Sequence, residues 1–296
     1  MAAMAEAGVA AAAAVADRVG IGWRPELAAA IFAHCDEIDI VEVIADNHFA
    51  AGRRGIAVLR RLCDAIPMML HGVGLGLASA SPPDRRRLDA MARLVDLVRP
   101  QCWSEHLAFV RAAGVELHHL AAPPRNAATV EHAARNIAHA RRVVGAAPAM
   151  ENVATLVAPP CSTMEEADWL RAVFAASDAP MLLDLHNLYA NATNAGADPA
   201  DWLDRLPLER VAVVHIAGGR WTREPRHWLD DHLHATPPAV FDLLARLAAR
   251  ARPPLTVVLE RDGAYPPFEE LLAELRLARA ALATGRREAD DGRRAA

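Results

Sequence analysis

IDIVEVIADNHFAAGRRGIAVLRRLCDAIPMMLHG, residues 38–72, reads as one strand–helix–strand unit. IDIVEVIADN (38–47) is a short apolar run that closes on polar residues, and PMMLHG (67–72) is a second that closes on a histidine. Between them, RRGIAVLRRLCDAI (53–66) repeats its apolar residues at helical spacing and so has one face to bury. Two buried strands joined through a helix belong side by side in a parallel sheet.

The same unit recurs in both directions. Upstream lies VGIGW (19–23), followed by PELAAAIFAHC (25–35). Downstream come QCWSEH (101–106), PAMEN (148–152), PMLLDLHN (180–187), VAVVHI (211–216) and LTVVLERD (255–262). Helical patterns at 83–98, 129–144, 163–177, 199–206, 237–251 and 266–282 complete the alternation. Eight strands alternating with eight helices predict an α/β protein, a single (β/α)8 TIM barrel over residues 19–284. Residues 1–18 read as a flexible N-terminal segment and 285–296 as a disordered tail. An open doubly wound sheet fits less well. GWRPE after the first strand is no phosphate-binding turn, and GVGLG (72–76) lacks the G-x-G-x-x-G spacing. The long loops, at 72–82, 107–126, 188–198 and 217–236, are expected around the C-terminal mouth. LAFVRAAGVELHHL (107–120) predicts a hairpin turning at AAG.

The composition limits the function. A 53% hydrophobic chain of 296 residues supports a large core, and its net charge of −5 gives no footing for nucleic acid. There is no lysine, so all 32 cations are arginine. No run is long and apolar enough for a membrane span, and the N-terminal stretch lacks the basic region of a signal peptide. Four scattered cysteines, without C-x-x-C spacing, fit a reducing cytoplasm.

The chemistry sits at the strand ends. Seven of the eight runs close on a carboxylate, a histidine or both: Glu42 with Asn47, His71, Glu105 with His106, Glu151, Asp184, His215 and Glu260. Asp230 and His232 add an Asp-x-His in a late loop. Strand tips of a barrel converge, and crowded carboxylates repel one another unless cations lie between them. Mixed imidazole and carboxylate donors suit iron, manganese, zinc or cobalt, and more than six of them imply at least two ions. A bridging carboxylate would hold such a pair about 3.5–4 Å apart. For each histidine taken singly, a hydrogen-bonded core role is the alternative; for Asp184 it is a helix cap or salt bridge. His48, His186 and His234 lie near the expected mouth, as second-shell or substrate-facing groups. Trp103 and Trp221 are candidates for lining the opening or for packing. His34, His118, His119, His132, His139 and His227 read as structural or exposed.

The motifs GIGWRPEL, VEVIADN, LHGVGLGL, SEHLAF, ENVATL, LLDLHNLYANATNAGADP, VHIAGG, DDHLHATP and LERDGAYPP follow in order over roughly residues 19–280. Together they resemble the multinuclear non-heme iron oxidative enzymes (MNIOs), a family that includes the methanobactin-biosynthesis oxidase. The resemblance implies a xylose-isomerase-like barrel holding two or three iron ions of mixed Fe2+/Fe3+ state, with O2 as co-substrate. Carried over motif by motif, the metal ligands are His71, His106, Glu151, Asp184, Asn187, His215, Asp230, His232 and Glu260. Glu151 is then the bridge. Glu42, Asn47, His48, Glu105, Asn152, His186 and His234 are left as second-shell or substrate-facing. The implied reaction is oxidation of a ribosomally synthesised precursor peptide, most often at cysteine, helped by a separate leader-recognition partner protein. Two departures stand out: His186, where relatives often carry Asn or Ala, and ADNH after the second strand. Two other readings compete: a metal-dependent isomerase or endonuclease-IV-like hydrolase on the same barrel, and a non-catalytic metal-retaining scaffold that binds a peptide.

Overall fold

The computed structural model describes residues 16–112, 115–252 and 254–295. In chain order the strands and helices begin β1 Arg18–Gly22, α1 Ala28–Ala33, β2 Val41–Ile44, α2 Arg53–Ala65, β3 Met68–Gly72, α3 Arg85–Val98 and β4 Trp103–His106. They continue β5 Phe109–Ala112, β6 Val115–Ala121, α4 Ala127–Val144, β7 Ala149–Glu151, α5 Glu166–Ser177, β8 Met181–Asp184 and α6 Leu185–Asn194. The last are α7 Pro199–Asp204, β9 Val211–Ile216, β10 Gly219–Trp221, β11 Trp228–Asp230, α8 Pro238–Arg250, β12 Thr256–Leu259 and α9 Phe268–Ala295. Strands β1, β2, β3, β4, β7, β8, β9 and β12 pair in parallel in that order, and β12 closes on β1. Each of the eight apolar runs supplies one barrel strand. No helix among the described residues is long and apolar enough to cross a membrane.

Strand periodicity sorts the side chains into two layers. Ile40, Met69, Ala149, Leu182, Val213 and Val258 form a small cluster of their own, which fills the barrel interior. Residues two positions further along a strand point the same way. Two positions beyond those six stand Glu42, His71, Glu151, Asp184, His215 and Glu260. The alternate residues, among them Val41, Val43, Leu70, Trp103, Met150, Leu183, Val214 and Leu259, pack outward with the helices in the large core. Trp103 therefore belongs to the strand–helix layer, where its indole donates to Ala146 O, and it does not line the opening. One apolar plug thus supports a polar ring, one pleat above it.

On β1, Gly20 and Gly22 occupy the corresponding positions and contribute no side chain. A Cβ on Gly20 would lie 1.8 Å from Ile40 O, so the β1–β2 contact requires glycine there.

Three expectations need correction. Residues 188–198 were expected as loop, but helix α6 covers most of them: Asp184 caps it, accepting from Asn187 N at 2.8 Å. The expected tail at 285–296 is helical through Ala295. Arg286 anchors that turn, pairing with Asp17 and donating to Ala248 O and Ala251 O. The loop at 217–236 contains a second hairpin, β10 with β11. The hairpin predicted at 107–120 is present as β5 with β6, its turn at 113–114 lying outside the described residues. Of the expected N-terminal segment 1–18, residues 1–15 also lie outside them.

Candidate metal centre

Glu151, on β7, stands at the middle of the ring. Its Oε2 faces His106 Nε2 at 3.2 Å and His71 Nε2 at 3.5 Å, while its Oε1 faces His215 Nδ1 at 3.4 Å. His215 Nδ1 also lies 3.1 Å from Glu260 Oε2. The two oxygens of one carboxylate therefore serve two separate donor groups: His71 and His106 on one side, His215, Glu260 and Asp184 on the other. A third group, His232 with Asp230, adjoins them. His232 Nε2 is 2.9 Å from Asp230 Oδ1 and 3.9 Å from Asp184 Oδ2, and its Nδ1 is 3.3 Å from Glu260 Oε2. His232 holds a left-handed backbone at φ 54°, a conformation that a non-glycine residue adopts only when its surroundings impose it.

Three of the candidate histidine ligands, His71, His106 and His215, are aimed by a polar contact at the far nitrogen, which is how imidazole ligands are usually fixed. Ser104 Oγ holds His71 Nδ1 at 2.7 Å, Gly72 O faces His106 Nδ1 at 3.3 Å, and Glu42 Oε2 holds His215 Nε2 at 2.8 Å. Asp184 uses Oδ1 as the α6 cap, which leaves Oδ2 for the site. Its backbone is clamped by Asn152, which donates to Asp184 O and accepts from Asp184 N. The capping role and the site role of Asp184 thus coexist. Glu105, next to His106 on β4, accepts from the backbone N–H of His106 and Leu75, and its Oε1 lies 3.6 Å from His106 Nδ1, the nitrogen turned away from Glu151.

The unsatisfied atoms test whether these residues fit a cation. Ten buried side-chain nitrogen or oxygen atoms lack a hydrogen-bond partner among the described residues, and six belong to this cluster. They are Glu42 Oε1, Glu151 Oε2, Asp184 Oδ2, Asn187 Oδ1, His215 Nδ1 and His232 Nε2. Buried donors and acceptors are normally paired, so their concentration around one point fits bound metal. His186 is not part of that set. Its Nδ1 bonds Asp230 Oδ1 at 2.6 Å and its Nε2 accepts from the Trp228 indole at 2.9 Å, so both nitrogens are taken. It orients Asp230.

Protons carry the balancing charge when no cation is bound. Burial pulls the His106 imidazolium down, but Glu151 and Glu105 outweigh it and carry its pKa from 6.5 up to about 9. Burial also opposes the charged forms of His215 and His232, yet Glu260 and neighbouring carboxylates hold both well above the usual imidazole range. Glu260 is held well below the carboxylate range: burial pushes it up, and His215 and His232 pull it down further. Asp184 moves the other way, raised by burial and then by the charges of Asp230 and Glu151. The metal-free fold draws on the His106 proton fully below about pH 6.5 and loses that contribution as pH rises through about 9.

A cavity of about 840 Å3 opens above the ring. One wall is apolar, from Val153, Leu156, Val157, Pro159 and Pro160; others come from His119 to Ala122 at the β6 hairpin and from Trp228 to His232. Asn187 lines it too. Of the residues expected to support the ligands or face the substrate, Asn47, exposed on the 3-10 turn after β2, His48, half-buried beside it, and His234, bonded to Asp231, do not line it. His119, Arg24, Asp231 and Asp262 do line it and were not foreseen. Arg24 reaches across from the loop after β1 to pair with Asp262, which also faces His232 Nδ1 at 3.5 Å. The loop arginines are committed likewise: Arg111 to Glu116, Arg125 to Glu166 and Arg220 to Asp231.

Helix α6 organises the mouth through three asparagines at helical spacing. Asn187 reaches the ring. Asn191 accepts from Thr155 N and donates to Val153 O, fixing the apolar wall. Asn194 brackets the backbone of Trp228 through N–H and C=O, fixing the β10–β11 hairpin. The N-x-x-x-N-x-x-N pattern was the available signal, obscured because asparagine is a weak helix former.

The family model described as "RiPP precursor modification enzyme MbnB/TglH/ChrH" matches residues 18–283. A UPF0276 protein of Streptomyces avermitilis is 38% identical over 263 residues, 86% of this chain and 53% of that protein, so the chain spans about half of this relative's length. A UPF0276 protein of Caulobacter vibrioides is 34% identical over 275 residues, 92% of this chain and 96% of that one. Among solved structures, endonuclease IV from Thermus thermophilus superposes with a TM-score of 0.57 at 18% identity, covering 90% of this chain and 99% of its own. A xylose isomerase domain protein from Planctomyces limnophilus gives 0.54 at 16%, covering 94% and 100%. These two likenesses concern the barrel alone.

Proposed function

The chain belongs to the MbnB/TglH/ChrH family of RiPP precursor modification enzymes, and from that premise we propose that it is an iron-dependent, O2-using oxidase acting on a ribosomally synthesised precursor peptide, at cysteine. The observation that carries this reading is Glu151, whose two oxygens face two separate sets of donors at the floor of a peptide-sized cavity. His71, His106 and Glu151 would hold one ion, and Glu151, His215, Glu260 and Asp184 a second, with His232, Asp230 and Asn187 available to a third. Bound iron would supply one-electron redox chemistry and a seat for a substrate thiolate. The chain's own residues do the rest. Ser104, Glu42 and Asn152 keep the ligands aimed, and the Val153–Pro160 wall excludes water and accepts an apolar stretch of peptide. A separate leader-binding protein would deliver the peptide.

Two features weigh against the alternatives. An endonuclease needs free cations for phosphates, whereas Arg24, which lines the cavity, and Arg220 are paired with Asp262 and Asp231, and both of these acids face the cavity. A sugar isomerase commonly uses a lysine, and the chain has none. Iron loading under anaerobic conditions, followed by O2 uptake and mass analysis of the precursor peptide, tests the proposal. Loss of hydrogen from the peptide coupled to O2 consumption is expected. Turnover that ignores O2, with zinc as the only metal retained, rejects it.

Two further outcomes follow. Metal must displace the protons of His106, His215 and His232, so apparent affinity should rise with pH through about 9, with protons released into a weakly buffered titration. Ser104→Ala should weaken metal binding by about 10–100-fold, read by chelator competition, because His71 loses its orienting bond.

A further inference from the structure

A file of aromatic rings leads from the ring of ligands to solvent. His232 and His186 lie 6.1 Å apart between centroids, His186 and Trp228 6.0 Å, and Trp228 and Trp221 5.4 Å, edge to face. Tyr189 stands 5.4 Å from Trp228 on the other side. Hydrogen bonds reinforce the inner half: the Trp228 indole donates to His186 Nε2, and His186 Nδ1 bonds Asp230, which meets His232. The outer ring, Trp221, is 40% exposed. The chain has only six tryptophans and two tyrosines, so two of the former and one of the latter on one side of the site is a concentration. Ordinary packing does not require it, since the flap is already fixed to α6 through Asn194.

We propose that Trp228 and Trp221 form an electron-transfer path that drains oxidising equivalents from the metal centre when no peptide is present to take them. The inference rests on the reading of the site as an oxidising iron centre. An electron passes inward from Trp228, and Trp221 refills Trp228. The Arg226 guanidinium, 4.7 Å over the Trp221 ring, disfavours a radical cation there, so Trp221 releases its indole proton to solvent and becomes a neutral radical. A thiol or ascorbate returns one electron and one proton to it. With hydrogen peroxide as oxidant, two such passages deliver two electrons and release two protons, matching the reduction of peroxide to two waters.

The test exposes iron-loaded protein to hydrogen peroxide without peptide, then maps oxidised residues by mass spectrometry and traps radicals for electron paramagnetic resonance. Oxidation is expected at Trp221, with a tryptophanyl signal, and not in metal-free protein treated alike. Trp228→Phe should reduce Trp221 oxidation to the metal-free level although Trp221 stays exposed, and Trp228→Tyr should restore it. Trp221→Phe, distant from every ligand, should leave the products at Trp228 and Tyr189, and Trp221→Tyr should give a tyrosyl signal. If Trp221 is oxidised equally in the Trp228→Phe protein, or damage falls on His232 and His186 while Trp221 is intact, the path is wrong and the oxidase reading stands. If the loaded protein reduces no peroxide, the path is wrong; the oxidase reading falls only if O2 uptake with the precursor peptide fails as well.

Discussion

Glu151→Gln is expected to abolish the paired metal site while leaving the barrel folded. A glutamine has nearly the same shape but no charge, and one of its two ends is an N–H2 donor. It cannot present oxygens to both His71/His106 and His215. Losing an orienting neighbour typically costs 10–100-fold in metal affinity, so losing the bridge should cost more than about 100-fold, with no measurable peptide oxidation. Metal analysis after desalting checks the first effect and circular dichroism the fold. Retention of the full metal complement would remove the bridging role. In the metal-free variant, His106 loses its largest favourable charge partner, so its pKa should drop from about 9, which an NMR titration of the imidazole would follow.

Gly20→Ala should give the largest loss of stability from one methyl group. The new Cβ would fall 1.8 Å from the carbonyl oxygen of Ile40, a backbone atom that cannot swing aside. Overpacking typically costs about 1–3 kcal/mol, and a backbone clash at barrel closure belongs at or above the upper end. For a chain of this size that is a fall in Tm of about 6–12 °C. A thermal scan of the metal-free protein reads it directly, and an unchanged Tm would show that β1 and β2 can separate without loss.

Much of this was legible in the sequence because each element states its role locally. The apolar runs gave all eight barrel strands, and the polar residues at seven of their ends gave the candidates for the ring, though WSEH ends on Glu105 and His106 side by side and periodicity alone does not choose between them. What escaped depends on partners distant in sequence. Ser104 looks like filler inside WSEH until His71 lies beside it, 33 residues away in the chain. Glu42 was noted for its strand but not for His215, 173 residues on. Helix α6 was hidden by its asparagines, whose value lies in the wall and hairpin they hold. The last turns of α9, rich in arginine and acid, resemble a solvated tail in isolation, and Arg286 finds its anchors far off in the chain, in Asp17 and the carbonyls of Ala248 and Ala251.

Glu274 on α9 connects that terminal helix to the chemistry. Its carboxylate receives Thr236 N at 2.9 Å and Arg261 at 2.9 Å, and these two residues follow His232 and Glu260 closely in the chain. The terminal helix is therefore a brace for two of the proposed ligands, reached through the residues that follow them. Loosening it would leave every donor present but badly trained on its target, an enzyme disarmed from behind.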